Sequence, residues 1–361
     1  MTHPTLSLQC VEEIFFGDEG TGMPKRCFVD QLKDGDRIDD PFLVKSARFA
    51  ETRAGKPYLI LTVADKTGEI SGPIWDNAEQ LGEKCQLGSF IRVLGQVQSY
   101  REKLQLKVDT VESLGPEDVD QADFIAVSTR NINDMAEGLQ DIVRSVQNPF
   151  IKKLLQRFFK KGDLWEAFQA APAAKGIHHA YVGGLIEHCL SMARLADFLS
   201  SHYPGVDRSL LLAGVLLHDI GKLKELQSEM GLIEYTPEGR LKGHLVIGSE
   251  LVAAEAGAIR DFPPEVLIQL QHLILSHHGR QEFGSPTVPM TVEAFLLSQI
   301  DEMDAKMNLM EQLRRKMTEE GFKWSEYQRP LERYLYLSGL VEEKPDAQVD
   351  SPPPSRQQSL F

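Results

Sequence analysis

Cysteine is scarce in this 361-residue chain. Its four thiols, Cys10, Cys27, Cys85 and Cys189, stand far apart without a CxxC pair, which excludes a disulfide framework and a zinc ribbon and fits a reducing compartment. Long apolar runs are missing too. No stretch of 18 apolar residues occurs, and the start, MTHPTLSLQC, lacks a basic segment followed by an apolar one. Membrane spanning and export are therefore not expected, and a cytoplasmic location is. An excess of positive charge is the third absence. A formal net charge of −14 argues against coating nucleic acid by bulk electrostatics, because phosphate neutralisation needs clustered Lys and Arg. The acid is unevenly spread, however. Asp40 to Gly115 carries ten basic and ten acidic residues, so a groove with a few placed cations survives there. With 42% apolar and 25% charged residues the chain can bury a core, and its length predicts two or three folded units.

Short β-rich runs dominate the first third. Phe42 to Phe49 and Tyr58 to Val63 are predicted strands joined by a turn at Ala54-Gly55-Lys56-Pro57. A turn at Lys66-Thr67-Gly68-Glu69 leads to a third strand ending at Trp75. A short polar helix near Asn77 to Glu83 precedes two long strands, Phe90 to Tyr100 and Leu104 to Glu112. Three strands, a helix and two strands is the order of a five-stranded OB-fold β-barrel, a module often used for single-stranded nucleic acid.

Gly115-Pro116 marks a boundary, and beyond it helix is predicted almost throughout. Val182, Leu185, Ile186, Cys189, Leu190 and Ala193 form an i, i+3, i+4, i+7 stripe. Leu210 to Leu217 is apolar on every face, which predicts a helix buried all round. The alternation between Glu234 and Lys242, with the Pro237-Glu238-Gly239 turn, predicts a small hairpin. Met290 to Met317 reads as a long helix begun by Thr291. From Lys344 the chain is too poor in apolar residues to pack, so a disordered tail is expected. The expected fold class is multi-domain α and β. It comprises an N-terminal extension (1–26), an OB-fold nucleic-acid-binding domain (27–115), a helical linker (116–160), an all-α domain (161–340) and the tail (341–361).

Most of the ten histidines fall in tight groups: His178-His179, His188, His218 beside Asp219, His244, and His277-His278. His218-Asp219 follows an eight-residue apolar run and so ends a buried helix, where an unpaired carboxylate would be very costly. A bound cation removes that cost. Neutral imidazoles with carboxylates are the ligand set of a borderline divalent metal such as Mn²⁺, Fe²⁺ or Zn²⁺. One buried histidine is more often a satisfied core residue than a ligand. Five groups, the last four at intervals of roughly 25 to 35 residues, instead suit successive helices delivering ligands to one centre.

His188, then His218-Asp219-Ile220-Gly221-Lys222, then Asp301 resembles the H…HD…D signature of the HD-domain phosphohydrolase superfamily. By that resemblance His188, His218, Asp219 and Asp301 hold one metal. Asp219 bridges to a second held by His244 and His277, and Lys222 and His278 touch substrate phosphate. The stretches HHAYVGGLIEH (His178 to His188), LLAGVLLHDIGKLKEL (Leu211 to Leu226), Gly243-His244, LQHLILSHHGRQEFGSP (Leu270 to Pro286) and IDEMDAKMN (Ile300 to Asn308) narrow the likeness. Beside an OB-like segment, they are similar to the YhaM-like 3′→5′ exoribonucleases. The N-terminal extension and Pro-rich tail are departures from that pattern.

The resemblance implies a hydrolase releasing nucleoside 5′-monophosphates from single-stranded RNA or DNA. Its cofactor would be two divalent ions, Mn²⁺ foremost, with Fe²⁺, Co²⁺, Zn²⁺ and Mg²⁺ as alternatives. Phosphodiester cleavage needs an activated nucleophile and neutralisation of phosphoryl charge, which two close metals supply. The catalytic set is Asp219, Lys222 and His278, the last as a proton donor to the leaving 3′-oxygen. Phe283 either stacks on a base or packs, with Arg280 beside it on the backbone. His179 is a further candidate for strand contact. Arg48, Arg53, Lys56, Tyr58, Trp75 and Tyr100 mix cations and aromatics as a single-strand groove requires, although some must fill the barrel instead. Gln357-Gln358-Ser359-Leu360-Phe361 resembles the peptide that docks in the DNA polymerase sliding clamp, with Gln357, Leu360 and Phe361 as anchors. Two other readings stand: an HD-type cyclic-dinucleotide or nucleotide phosphohydrolase, and a single-strand-binding replication accessory protein whose HD site is vestigial.

Overall fold

A computed structural model describes residues 23–101, 103–176, 179–229, 232–317 and 321–339. Most of the N-terminal extension, the expected disordered tail and the clamp-peptide residues Gln357, Leu360 and Phe361 lie outside the described residues. The chain divides into two compact units, Met1–Ala305 and Lys306–Phe361.

The first unit begins with five antiparallel strands: β1 (Arg37–Glu51), β2 (Pro57–Asp65), β3 (Gly68–Ile74), β4 (Phe90–Tyr100) and β5 (Lys103–Leu114). A short helix, α1 (Ala78–Gly82), follows β3. The sheet order β3-β2-β1-β4-β5 is that of the OB-fold barrel expected from the alternation. β1 is the longest strand because it serves both halves. Arg37–Leu43 pairs with β4, and Leu43–Glu51 pairs with β2 across a register shift between Val44 and Ser46. The inward positions Phe42, Val44, Leu59, Leu61, Val63, Ile91, Val93 and Leu106 fill the barrel. Met23 to Arg26, placed by sequence in the extension, strap this barrel. Met23 N–H donates to Asp118 O at 2.6 Å. The buried Lys25 ammonium donates to Pro41 O at 2.9 Å and sits 3.5 Å from the Phe42 ring centre.

The remainder of this unit is helical. Its elements are α2 (Ile132–Ser145), α3 (Pro149–Phe159), α4 (Asp163–Ala170), α5 (Gly184–His202), α6 (Arg208–Leu217), α7 (Lys222–Glu225), α8 (Pro237–Gly257), α9 (Pro264–Ser276) and the first part of α10 (Val292–Arg315), whose residues from Lys306 on belong to the second unit. Polar caps start several of them. Asn131, Asn148, Asp207, Thr236 and Thr291 each accept a first-turn N–H through the side chain. α6 is buried on every face from Ser209 to Leu217, as its sequence predicts.

Two expectations are corrected. The stretch 116–160 is not a linker: Met135, Leu139, Leu154 and Phe158 share one core with Leu185, Leu212 and Leu216. The hairpin expected between Glu234 and Lys242 lies earlier, as β6 (Leu226–Glu229) and β7 (Leu232–Tyr235). Pro237 instead opens α8, because Thr236 Oγ1 caps Gly239 N–H at 2.9 Å and proline is preset for the first helical turn. In the second unit, β8 (Phe322–Trp324) and β9 (Tyr336–Ser338) form an antiparallel hairpin that the sequence reading did not anticipate. Among the described residues no helix is long and apolar enough to cross a membrane.

Leu216 is fully buried at the centre of the helical core. Leu216→Ala should lower the unfolding free energy by about 3 kcal/mol in urea titration. Ile268→Ala, at an exposed position, should change it by less than about 0.5 kcal/mol.

Candidate metal centre

Five helix segments converge on one buried point. His188 comes from the second turn of α5, His218 is the C-cap of α6 with Asp219 directly after it, His244 lies in α8, His277 caps α9, and Asp301 projects from α10. Two glycines make the convergence feasible. A Cβ on Gly221 would stand 2.0 Å from the His244 carbonyl oxygen, so only glycine lets α8 approach the His218-Asp219 corner. Gly243, at φ 72° and ψ 156°, breaks α8 immediately before His244 and turns that side chain inward.

Asp219 is the hub, and its two oxygens face different partners. Oδ2 lies 3.3 Å from His218 Nε2 and 4.0 Å from His188 Nε2, and His188 Nε2 is 3.3 Å from Asp301 Oδ1. Oδ1 lies 3.5 Å from His244 Nε2 and 3.6 Å from His277 Nε2. His278 joins this second set, its Nε2 3.3 Å from His244 Nε2. The clusters His188-His218-Asp301 and His244-His277-His278 each offer three closely spaced ligand atoms.

The opposite ring nitrogens are all occupied. Nδ1–H of His218, His277 and His278 donates to the carbonyls of Val215 (2.7 Å), Ile274 (2.8 Å) and Phe283 (2.9 Å). A carbonyl only accepts, so each neutral ring presents an Nε2 lone pair to the centre. His188 Nδ1 meets Asp304 Oδ2 at 2.8 Å, and His244 Nδ1 meets Glu225 Oε1 at 3.0 Å. Ser191 Oγ also donates to Asp304.

Electrostatics keeps the centre charged where a cation needs it. Burial opposes ionisation of Asp219, but the Lys222 ammonium outweighs it and holds the carboxyl well below the usual carboxylate range. Asp301 is likewise lowered, burial being outweighed by its bond to His188. Burial pushes His277 well down and keeps it neutral, and burial lowers His278 as well. Two buried atoms, His218 Nε2 and Asp219 Oδ1, have no hydrogen-bond partner among the described residues. Orphaned buried acceptors of this kind are costly unless a cation occupies the space between them, so the donor set fits a divalent metal.

Two family models match the chain: an HD domain over residues 185–306 and an OB-fold nucleic acid binding domain over residues 43–114. The 3′-5′ exoribonuclease YhaM of Geobacillus sp. is 38% identical over 280 residues, covering 77% of this chain and 85% of that one. The protein of the same name from Bacillus subtilis is 38% identical over 278 residues, covering 77% and 87%. That from Oceanobacillus iheyensis is 38% identical over 277 residues, covering 76% and 86%. The chain belongs to the YhaM family. Its HD domain carries a dependence on divalent metal, and its OB-fold belongs to a nucleic-acid-binding class.

All the histidines and aspartates picked out for metal in this YhaM-family chain are brought together. Lys222, expected on substrate phosphate, donates to Asp219 Oδ2 at 2.6 Å, with its side chain 13% exposed. Burial lowers its tendency to be charged, but Asp219 more than restores it. His179, expected on the strand path, is corrected to an interior position. It is 3% exposed, with Nε2 3.2 Å from Asp304 Oδ2 and Nδ1 2.9 Å from the Tyr181 hydroxyl. Sequence reading missed Asp304 and Glu225. Asp304 stands one helical turn beyond Asp301, and that i, i+3 spacing was the available signal.

In the barrel, Tyr58 and Trp75 stack with ring centres 4.5 Å apart. The pairing Ala50↔Tyr58, Arg48↔Ile60 and Ile60↔Pro73 sets Arg48 and Tyr58 on the outer face of β1 and β2. Arg48, Arg53, Tyr100 and Trp75 are exposed. Lys56 is exposed too, and bonds Asp76 at 3.0 Å. Arg280 and Phe283 are exposed on the loop after His278, the guanidinium 5.9 Å from the ring centre.

Asp304→Asn keeps an acceptor shape but removes the charge behind His188. Divalent-metal affinity measured by calorimetry should fall about 10- to 100-fold. In the metal-free protein burial disfavours the charged His188, but Asp301 and Asp304 outweigh it and raise its pKa to about 9. A metal needs the neutral ring, so this proton must leave on binding. Metal affinity should therefore rise with pH and level off above about 9, with proton release seen in buffers of different ionisation enthalpy.

Proposed function

We propose that this protein is a divalent-metal-dependent 3′→5′ exonuclease that hydrolyses single-stranded RNA, and DNA as a second substrate, to nucleoside 5′-monophosphates. The observation that carries the reading is the divided Asp219 carboxylate, with one set of inward Nε2 atoms at each oxygen. His188, His218, Asp219 and Asp301 would hold one ion, and Asp219, His244 and His277 a second, with His278 beside it. Mn²⁺ suits this mixed imidazole and carboxylate set, which also accepts Fe²⁺, Co²⁺ or Zn²⁺ and, less well, Mg²⁺. When bound, such ions supply an activated water and neutralise phosphoryl charge.

The chain's own residues have separable tasks. Asp219 fixes the spacing of the two ligand sets. Lys222, held charged beside Asp219, is available to a phosphate oxygen. The proton-donor role expected of His278 is disfavoured, because its Nδ1–H is bound to Phe283 O and its pKa is lowered, leaving an Nε2 lone pair. That same bond tethers the loop carrying Arg280 and Phe283 to the centre, which supports a role in seating the terminal nucleotide. The Tyr58-Trp75 stack with Arg48, Arg53 and Lys56 suits a single strand running over the barrel.

Product analysis on end-labelled single strands tests this. Wild-type protein with Mn²⁺ should shorten RNA stepwise from the 3′ end, and Asp219→Ala should abolish turnover while leaving strand binding. Cleavage of a cyclic dinucleotide and of no oligonucleotide would sink the exonuclease reading. Trp75→Ala should weaken strand binding by about 1–3 kcal/mol in fluorescence anisotropy.

A further inference from the structure

The second unit turns its aromatic side chains outward. Residues 322–336 contain Phe322, Trp324, Tyr327, Tyr334 and Tyr336. Each is between 49 and 69% exposed. β8 places Phe322 and Trp324 on one face, and the register pairs Trp324 with Tyr336, so the third ring stands on that face too. The Tyr336 ring centre lies 5.4 Å from that of Phe322 and 5.1 Å from that of Trp324, with tilts of 32° and 40°. Three π-faces thus stand side by side at the surface of a hairpin whose strands are three residues long. Clustered exposed apolar side chains mark binding surfaces.

Charge indicates what binds. In a chain of net charge −14, Lys306 to Gly339 carries seven basic and five acidic residues. Arg315, Lys316, Lys323, Arg329 and Arg333 are exposed. Arg315 is paired with Glu311 at 2.7 Å, and Glu326 and Glu332 are exposed as well, but the cations outnumber the acids in this stretch of an acidic protein. Exposed aromatic faces with a local excess of cations match a polyanion that also carries flat bases. We propose that Phe322, Trp324 and Tyr336 form a second platform for single-stranded RNA, stacking its bases while exposed Lys and Arg of the same stretch draw its phosphates. The proposal rests on the single-strand exonuclease reading above and adds a binding site to it.

The test uses the full-length protein with its metal and a labelled phosphorothioate single strand that resists turnover. Trp324→Leu with Tyr336→Leu keeps apolar area but removes the π-faces. Affinity for a long strand should fall roughly tenfold, whereas Trp324→Phe with Tyr336→Phe should bind as wild type. Turnover of a very short strand should be unchanged, which separates this platform from the catalytic reading. Unchanged long-strand affinity in the Leu pair overturns the proposal. So does unchanged affinity accompanied by dissociation into a smaller species in sedimentation, which would assign the face to contact between copies. Should the Leu pair fail to fold, Lys316→Glu with Arg329→Glu must give the same loss, and equal binding by that variant overturns the proposal.

Discussion

The buried Asp219 carboxylate is the constraint on which the rest of the helical domain turns. A 2% exposed carboxylate beside a 0% exposed imidazole is stable only if its charge is answered. Lys222 answers part of it on Oδ2, while Oδ1 faces His244 and His277 with no hydrogen-bond partner among the described residues. That arrangement dictates Gly221, which admits α8, and Gly243, which turns His244 inward. It also explains why α6 is apolar on all sides. The helix that delivers His218 and Asp219 runs through the middle of the core, where each Leu and Val helps to exclude water from the site.

A second tier of groups keeps the first in place. The Nδ1 atoms of all five inward histidines are committed to carbonyls or carboxylates, so no ring can flip without losing a buried hydrogen bond. From Asp304 the bonds continue to His179, to the Tyr181 hydroxyl, and on to Glu187, which accepts from Tyr181 at 3.0 Å and from Ser128 at 2.6 Å. The centre is thereby tied to the segment that leads into α2. This links packing to function: segments that look like connections in the sequence hold the orientation of a metal-facing imidazole.

The barrel and the cluster of inward His and Asp side chains were legible in the sequence because both rest on strong, local signals. Period-two alternation marks strands such as Phe90–Tyr100 almost to the residue, and histidines spaced along successive helices are chemically conspicuous. Asp304, Glu225 and His179 were not legible in the same way. A carboxylate on a helix ordinarily reads as surface charge, and only the folded packing reveals that these three are buried behind ligands. Pro237 misled the hairpin assignment because proline serves both turns and first helical turns. What decides between them is Thr236, whose hydroxyl caps the helix. The apolar stripe of α2 and α3 showed amphipathic helices without showing which core they joined.

On the two-ion proposal, His188, His218 and Asp301 would hold one divalent ion and His244 and His277 a second, with Asp219 serving both. Diffraction from crystals of the protein with Mn²⁺, recorded at the manganese absorption edge, tests it most directly. Two anomalous peaks should flank Asp219, one bounded by His188, His218 and Asp301 and the other by His244, His277 and His278. A single peak at saturating Mn²⁺, or a pair that leaves Asp219 outside the ligand set, would contradict it.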